Sequence, residues 1–270
     1  MDPIDRSEFY RRVRTWPFRG KLGKIQVEGC ETILDHWQSG HAAQDDRWLA
    51  YILGTAFHET AGTMAAIHEY GGDAYFERRY GARTAVGRTL GNRLPGDGAR
   101  YHGRGFVQLT GRANYADWSD RLGRDLLTDP DKALRPDVAA RILVDGAILG
   151  TFTGRRLADY FNDTRNDWIG ARRIINRLDR AARIAVVAKQ FWGAMTHGDT
   201  GRASQVLWRK TLRQGCAGED VRFLQSLLDL EQDARFGRKT NDAVQSFQSD
   251  AELFIDGVVG QQTWRALLIE

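Results

Sequence analysis

A glutamate on an otherwise apolar helix face is the first residue whose position could serve catalysis. Residues 45–62 predict a helix capped by Asp45 or Asp46, and Glu59 follows Trp48 by eleven residues, or three turns, on the same face. A carboxyl on an apolar surface is disfavoured in its charged form, which suits a general acid near neutral pH. The alternative is a glutamate that reaches solvent or pairs with an arginine. The zinc-protease pattern HExxH fails, because glycine stands where the second histidine is needed.

A second carboxylate follows ten residues later. Glu69 precedes Tyr70-Gly71-Gly72, whose glycines allow a sharp turn, so Glu69 could face Glu59 across a cleft. Two carboxylates flanking a sugar, one protonating the leaving oxygen and one activating water, hydrolyse glycosidic bonds. Glu77 competes for the second role. Taken alone, each of these two later glutamates also fits a solvated loop residue.

Polar and aromatic groups that suit sugar recognition cluster in YHGRGFVQLTGRANY at 101–115. We interpret part of it as a short extended segment, which would place Gln108 and Thr110 on one side, with Asn114 and Tyr115 after a turn. Such groups hydrogen-bond sugar hydroxyls or hold a water. Tyr101 offers an aromatic face for a sugar ring, although a structural role is the alternative. The glycines here lack the third glycine of a dinucleotide fingerprint.

Mainly helical elements must position these residues. Apolar periodicity predicts helices over 26–38, 47–58, 138–149 and 180–195. Strand patterns are scarce: only 104–109 and parts of 73–90 could make a small sheet, and the glycine content there favours irregular loops.

The C-terminal part contains an internal repeat. DARFGRKTNDAV at 233–244 and DGVVGQQTWRAL at 256–267 share Asp, Gly, Thr and Ala at a 23-residue offset. Asp and Gly suit a tight turn, Thr a helix N-cap, and Ala the start of a buried face. With the helical pattern that precedes the first copy, the repeat predicts about three short helices. The polar stretch at 195–205 resembles a linker. We therefore expect a catalytic domain at 1–200, a linker at 201–214 and a binding domain at 215–270.

Composition narrows the class of protein. The chain has 270 residues, is 42% hydrophobic and 27% charged, and has a mean hydropathy of -0.49, which excludes membrane, collagen-like and disordered classes. Its net charge of +4 averages two unlike parts: residues 217–270 carry ten acidic and five basic side chains, a net of −5, so residues 1–216 carry +9. Two distant cysteines suggest neither a disulfide framework nor a zinc site. We expect no cofactor and no metal.

The motifs together resemble glycoside hydrolase family 19, and in particular its lysozyme-like branch in bacteriophage endolysins, over roughly residues 20–195. HET at 58–60, Glu69, the 101–115 segment and ARRIINRLD at 171–179 carry the resemblance. It implies a two-lobed, lysozyme-like helical fold. It also implies inverting hydrolysis of a β-1,4 bond between N-acetylated sugars.

Residue roles follow from the resemblance. It implies that Glu59 is the general acid, Glu69 the general base, and Thr110 a residue that helps hold the nucleophilic water. The positions implied to contact substrate are Gln108, Asn114, Tyr115 and Asn176. The family's Asn-Gly-Gly-type segment is replaced here by Asn176-Arg177-Leu178-Asp179.

Residues 215–268 resemble the three-helix peptidoglycan-binding domain, which implies bacterial cell wall as the partner. The two resemblances predict an endolysin, most simply an N-acetylmuramidase that lyses the host cell; a chitinase and a non-catalytic wall-binding virion protein are the alternatives. We expect a monomer that binds no nucleic acid and whose basic part is attracted to anionic envelopes. The charged N-terminus lacks a signal peptide's apolar stretch, so we expect synthesis in the host cytoplasm and action on the wall after release.

Overall fold

Helices form most of the chain that the computed structural model describes, which comprises residues 4–195, 210–251, 253–260, 263–264 and 266–267. The helices are α1 Arg6–Thr15, α2 Lys24–Gly40, α3 Asp46–Glu59, α4 Asp73–Tyr80, α5 Ala85–Thr89, α6 Asp97–Arg100, α7 Arg112–Leu122, α8 Pro136–Leu149, α9 Ala181–Met195, α10 Glu219–Leu227 and α11 Arg238–Asp250. Short 3-10 helices cover Pro130–Leu134, Leu157–Asp159 and Gly170–Ile174. The prediction of a mainly α-helical fold is confirmed.

The four helices predicted from periodicity are all present as α2, α3, α8 and α9, with ends within two residues of the predicted ones. Their apolar stripes are buried: in α3, for example, Leu49, Ile52 and Leu53 have no exposed surface. Because burial of such a stripe supplies most of a helix's stability in a protein, periodicity was a sufficient signal for these elements.

Residues 73–80 and 85–89 are helical, so the expectation of strands or irregular loops was wrong for most of 73–90. The glycines of this region delimit helices instead of disrupting them: Gly72 is the N-cap of α4 and Gly81 its C-cap. The Thr84 side chain then caps α5 by accepting a hydrogen bond from the Gly87 N–H. Glycine at a helix boundary and glycine in a loop look alike in a single sequence.

The only sheet among the described residues has two short antiparallel strands. Strand β1, Ile67–His68, pairs with β2, Arg104–Gly105, so that Ile67 lies opposite Gly105 and His68 opposite Arg104. A further bridge joins Arg104 to Leu109 and closes a tight hairpin. The sheet joins two segments that are far apart in the sequence.

The chain folds as two compact units. One contains Lys21–Gln44 and Thr55–Arg156, and the other contains Ile4–Gly20, Asp45–Gly54 and the described residues from Leu157 onward. In the first unit α2 packs on α8 and α4 on α6. Its core includes a cluster formed by Tyr101, Leu109, Tyr115, Trp118, Leu122, Leu126, Ala133, Val138 and Ile142.

In the second unit α1 packs on α9, and a separate cluster forms the core of the C-terminal part. The members of that cluster are Leu212, Val221, Leu224, Phe236, Val244, Val259, Trp264 and Leu267. Residues 263–264 and 266–267 are helical, after α10 and α11. Of the predicted linker at 201–214, residues 201–209 lie outside the described part of the chain.

The sequence repeat is also a repeat of hydrogen bonds. In the first copy the Gln225 amide donates to the Asp233 carboxylate (2.6 Å), the Arg235 carbonyl (3.0 Å) and the Thr240 hydroxyl (3.1 Å). Gln225 and its counterpart Gln248 are both buried, with 2% and 1% of their surface exposed. Gln248, 23 residues on, donates in the same way to Asp256, Val258 and Thr263, at 2.9, 3.1 and 3.1 Å.

Each glutamine also accepts backbone N–H groups of its own turn. Gln225 Oε1 accepts from Ala234 at 2.9 Å, and Gln248 Oε1 accepts from Gly257 at 2.8 Å. A buried amide with all its bonds made therefore ties each Asp-Gly turn to the preceding helix. The helices are consequently held through side-chain amides as well as through apolar packing.

None of the described helices is both long enough and apolar enough to cross a membrane.

Candidate active site

Glu59 is the last residue of α3, and both ends of that helix are fixed by specific hydrogen bonds. Asp45 is the N-cap, because its side chain accepts the Arg47 backbone N–H at 2.9 Å. Beyond Glu59 the Thr60 side chain is 1% exposed, donates to the Ala56 carbonyl (2.7 Å) and accepts the Met64 N–H (3.0 Å). The Glu59 side chain is half-buried on this rigid turn.

Pairing of β1 with β2 positions Glu69. The Glu69 N–H donates to the Gly103 carbonyl at 2.8 Å, and the Gly103 N–H donates to Glu69 Oε2 at 3.2 Å. The Tyr80 hydroxyl donates to Oε1 at 2.8 Å, and Arg79 Nη1 lies 3.8 Å from the same oxygen. With only 19% of its side chain exposed, Glu69 is held in one orientation by donors on both oxygens.

The pKa of the Tyr80 hydroxyl lies above its usual value, because burial and then the hydrogen bond to Glu69 both disfavour the phenolate. Tyr80 therefore remains a hydrogen-bond donor throughout the physiological pH range. The sequence favoured an irregular loop for this region, whereas Tyr80 ends α4, and its hydrogen bond to Glu69 was not predicted.

Gly103 brings Gln108 next to Glu69. A Cβ atom built on Gly103 would lie 2.8 Å from Gln108 Oε1 and 3.1 Å from both Gln108 Cβ and Glu69 Oε2, so a larger residue would displace these side chains. The Gln108 amide in turn donates to the carbonyls of Ile67 (3.2 Å) and Gly105 (3.1 Å), one in each strand. The Glu69 and Gln108 side chains therefore both pack against Gly103, beside the two-stranded sheet.

Gln108 lies in the turn of the hairpin, so the predicted extended segment was wrong there. Its φ angle is +54°, and Leu109 rather than Gln108 bridges back to Arg104. Thr110 is nevertheless adjacent, because its hydroxyl donates to the Gln108 carbonyl at 2.7 Å. The exposed Asn114 continues the series by donating to the Thr110 carbonyl at 2.7 Å. Glu69 and Gln108 are therefore neighbours around Gly103, and local hydrogen bonds connect Thr110 and Asn114 to the Gln108 turn.

Tyr101 and Tyr115 are placed in the core behind this surface. They are 1% and 0% exposed, so neither ring presents a face to solvent. The Tyr101 hydroxyl donates to the Leu127 carbonyl at 3.2 Å, and the Tyr115 hydroxyl to the His102 carbonyl at 3.0 Å. Burial raises the pKa of Tyr115 to about 12. Both tyrosines therefore support the site from the core, and their buried rings cannot contact a sugar in this conformation.

The buried guanidinium of Arg104 organises the segment and was not recognised from the sequence. It is 6% exposed and donates to the Arg100 and His102 carbonyls and to the Tyr115 hydroxyl, each at 3.0 Å, and to Asp131 at 2.8 Å. A buried charge with this many partners fixes the backbone around it. An arginine between two glycines is the signal that could have identified it.

Two further predicted residues have other surroundings. Glu77 Oε1 accepts the Ala99 N–H of α6 at 2.9 Å, so this carboxylate is engaged with the start of a helix. Asn176 belongs to the second compact unit and is exposed, and its side-chain oxygen accepts the Arg177 N–H at 2.9 Å.

A histidine pair next to Glu69 was also missed. His68 Nδ1 lies 3.0 Å from His102 Nε2, and His102 Nδ1 donates to the Ala99 carbonyl at 2.6 Å. In its neutral form His102 therefore accepts from His68. The pKa of His102 lies below its usual value because of burial first and then nearby Arg104 and His68. The ring also stacks on Phe76, with centroids 4.4 Å apart.

Comparison with known families divides the chain in two. Residues 26–148 match the family model for chitinase class I, and residues 217–267 match the model for a peptidoglycan binding domain. The first match contains Glu59, Glu69, Gln108, Thr110 and Asn114. The second contains both glutamine-centred turns.

Solved structures of chitinases are similar over 73% of this chain. Chitinase C from Streptomyces griseus HUT6037 is 17% identical, with 79% of its chain covered and a TM-score of 0.40. A variant of chitinase C is 18% identical (95% covered, TM-score 0.40), and a bacterial family 19 chitinase is 19% identical (98% covered, TM-score 0.39). At these values the similarity carries no inference about substrate or residue roles.

The family matches define the class: the chain is a glycoside hydrolase. More particularly, residues 26–148 resemble a chitinase class I domain and residues 217–267 a peptidoglycan-binding domain, a combination that supports hydrolysis of cell-wall glycan.

Proposed function

We propose that the protein is a bacteriophage-type endolysin that cleaves β-1,4 glycosidic bonds of bacterial peptidoglycan, most simply as an N-acetylmuramidase. The single observation that carries the proposal is the presence of both matched segments in one chain. A module that binds peptidoglycan raises the local concentration of that polymer around the hydrolase domain. A hydrolase that acts on another polymer would gain no such increase in substrate concentration from this module.

The proposed chemistry is a single displacement. The Glu59 carboxyl donates its proton to the glycosidic oxygen as the bond from that oxygen to the anomeric carbon breaks. A water attacks the opposite face of the same carbon, and Glu69 accepts the proton that the water loses. The product carries the inverted anomeric configuration, and both carboxyl groups return to their starting states by proton exchange with solvent.

The surroundings of Glu69 support its role as the base. Tyr80 and the Gly103 N–H hold one carboxylate oxygen each, which fixes the direction in which the carboxylate can accept a proton. Thr110 is linked to Gln108 and is proposed to help hold the water. Glu77 is the alternative base, and its Oε1 accepts the Ala99 backbone N–H.

Adsorption and cellular context extend the proposal. The net charge of +9 on residues 1–216 favours attraction to the anionic bacterial envelope, and such attraction weakens with salt. We propose that the enzyme acts as a monomer, is made in the host cytoplasm and reaches the wall during lysis of the cell.

Chitinase activity is the second candidate, favoured specifically by the family model that matches residues 26–148. The test is turbidity loss of bacteria with permeabilised outer membranes, compared with release of soluble fragments from chitin. We expect rapid clearing by the wild type and at least 100-fold slower clearing by Glu59→Gln and Glu69→Gln, in the range typical of general acid–base catalysis. Clearing by Glu59→Gln at the wild-type rate would refute the enzymatic roles, and activity on chitin alone would replace peptidoglycan as the substrate.

A further inference from the structure

Two histidines and an aspartate converge where the end of α2 meets α8. His36 lies in the last turns of α2, His41 is its C-cap, and Asp145 lies on α8. His36 Nε2 is 2.7 Å and His41 Nε2 is 3.0 Å from the same oxygen, Asp145 Oδ1. One ligating atom from each residue lies within 4.8 Å of the other two. The three side chains belong to the same compact unit, and Asp145 is more than 100 residues from either histidine in the sequence.

The cluster stands on two helices that are themselves firmly packed. On α2 the residues Ile33, Leu34 and Trp37 are buried around His36, and α8 is buried on either side of Asp145 at Val144 and Ala147. Each of the three side chains remains about one-fifth exposed, at 20%, 22% and 20%. The groups are therefore held by rigid elements and still reachable by an ion from solvent.

The charges favour a cation. Asp145 contributes a carboxylate, and both histidines contact its Oδ1 through Nε2. Arg141 Nε lies 3.9 Å from the other carboxylate oxygen, Oδ2. Oδ1 is thus the oxygen that contacts the two histidines. The C-terminal end of α2 adds the partial negative charge of its last carbonyl groups.

We propose that His36, His41 and Asp145 form a binding site for a divalent transition-metal ion, with zinc as the best match. Two imidazoles and one carboxylate are a donor set that zinc accepts in tetrahedral sites with solvent as the fourth ligand. Magnesium and calcium prefer oxygen donors and are disfavoured. Bonds of about 2.0–2.2 Å require donor atoms roughly 3.3 Å apart, so the ion enters when the present contacts open by about half an ångström.

The proposed ion would link α2 to α8 without taking part in the hydrolytic chemistry. Each imidazole would bind through Nε2 and carry its proton on Nδ1, and Asp145 would exchange two hydrogen bonds for one metal bond. Because the site exists only in the folded unit, binding stabilises the fold by mass action. The inference is independent of the proposed substrate.

The test uses the full untagged chain after treatment with a chelator, titrated with zinc chloride by calorimetry and followed by thermal unfolding. We expect one zinc ion to bind and Tm to rise by about 5 °C at a 100-fold excess over Kd, with no response to magnesium. His41→Gln and Asp145→Asn should weaken binding at least 10-fold. His68→Gln is the matched control, because His68 is an exposed histidine outside the cluster, and it should bind as the wild type does.

Absence of binding by the wild type, unchanged affinity in both cluster variants, or loss of binding in His68→Gln would each overturn the proposal. If the cluster variants do not fold, X-ray absorption at the zinc edge of the wild-type complex decides the matter. We expect nitrogen and oxygen donors at about 2.0–2.1 Å with the scattering of two imidazoles. Sulfur donors, or fewer than two imidazoles, would refute the site.

Discussion

Replacing Gly103 by alanine should damage the candidate active site while leaving the fold in place. The new Cβ would lie 2.8 Å from Gln108 Oε1 and 3.1 Å from Glu69 Oε2, closer than unstrained contacts allow. Gln108 must withdraw by roughly half an ångström to restore van der Waals contact. The two hydrogen bonds that the Gln108 side-chain amide donates are already 3.2 and 3.1 Å long, so this movement breaks them.

The expected magnitudes follow from these contacts. Loss of two hydrogen bonds at about 1 kcal/mol each lowers the free energy of unfolding by about 2 kcal/mol, or Tm by roughly 4–8 °C. The shift of Glu69 has a larger effect on catalysis, because misplacement of a reacting group by about 1 Å can cost about 100-fold. We therefore expect at least a 10-fold fall in kcat for clearing of permeabilised cells.

Gly40→Ala is the matched control. It lies at the end of α2 in the same unit, and a Cβ there meets no atom within 4 Å, so activity should be unchanged. The assay pairs initial clearing rates with melting curves and with sedimentation on purified cell walls, which reports the C-terminal module separately. Wild-type kcat and Tm in Gly103→Ala would show that Glu69 and Gln108 are not packed around this residue as described.

Three further predictions concern other contacts of the structure. Tyr80→Phe removes the 2.8 Å donor to Glu69 and should lower kcat about 10-fold with little change in Tm, as clearing rates and melting curves will show; an unchanged kcat would refute the positioning role. Gln248→Ala leaves buried turn groups without partners and should destabilise the C-terminal module by about 2–4 kcal/mol. Sedimentation with walls should then be lost while the activity on soluble glycan fragments is kept, and retained sedimentation would contradict it. His102, whose pKa is lowered in the folded state, binds fewer protons than in the unfolded chain, so Tm should fall as pH drops below about 6.5 and should fall less in His102→Gln; equal pH dependence in both proteins would exclude this linkage.

The sequence predicted those elements whose information is local. The apolar stripe of α3 and a capping aspartate at 45 or 46 predict a helix over 45–62, and the structure has that helix as Asp46–Glu59 with Asp45 as its N-cap. The Asp positions of the C-terminal repeat likewise proved to be turn positions, because Asp233 accepts the Arg235 N–H and Asp256 the Val258 N–H. The N-cap expectation for Thr was wrong in the first copy: Gly237 is the N-cap of α11, and Thr240 lies within the helix, where its hydroxyl accepts from Gln225. Gln225 and Gln248 have the same 23-residue offset but lie eight residues before each Asp, outside the repeated segments at 233–244 and 256–267.

Contacts between distant segments could not be predicted. Nothing in a single sequence indicates that Gly103 contacts Glu69 or that His36 meets Asp145 across 109 residues. The positive φ of Gln108 also ran against expectation, because tertiary hydrogen bonds to both strands hold a conformation that glutamine rarely adopts alone. Tyr101 was assigned to the surface because tyrosines near glycines suggest binding loops, and Tyr115 because the family resemblance implies contact with substrate, whereas both rings complete the core.

The most direct test of peptidoglycan hydrolysis by an acid–base pair is mass spectrometry of peptidoglycan digested with the wild-type enzyme and then reduced with borohydride. Attack of water at the muramic acid anomeric carbon predicts reduced muramic acid ends that are absent from digests with Glu59→Gln. Reduced glucosamine ends would keep hydrolysis but contradict the muramidase assignment. Fragments with 1,6-anhydro ends would contradict the account itself, because their formation uses an internal hydroxyl in place of water.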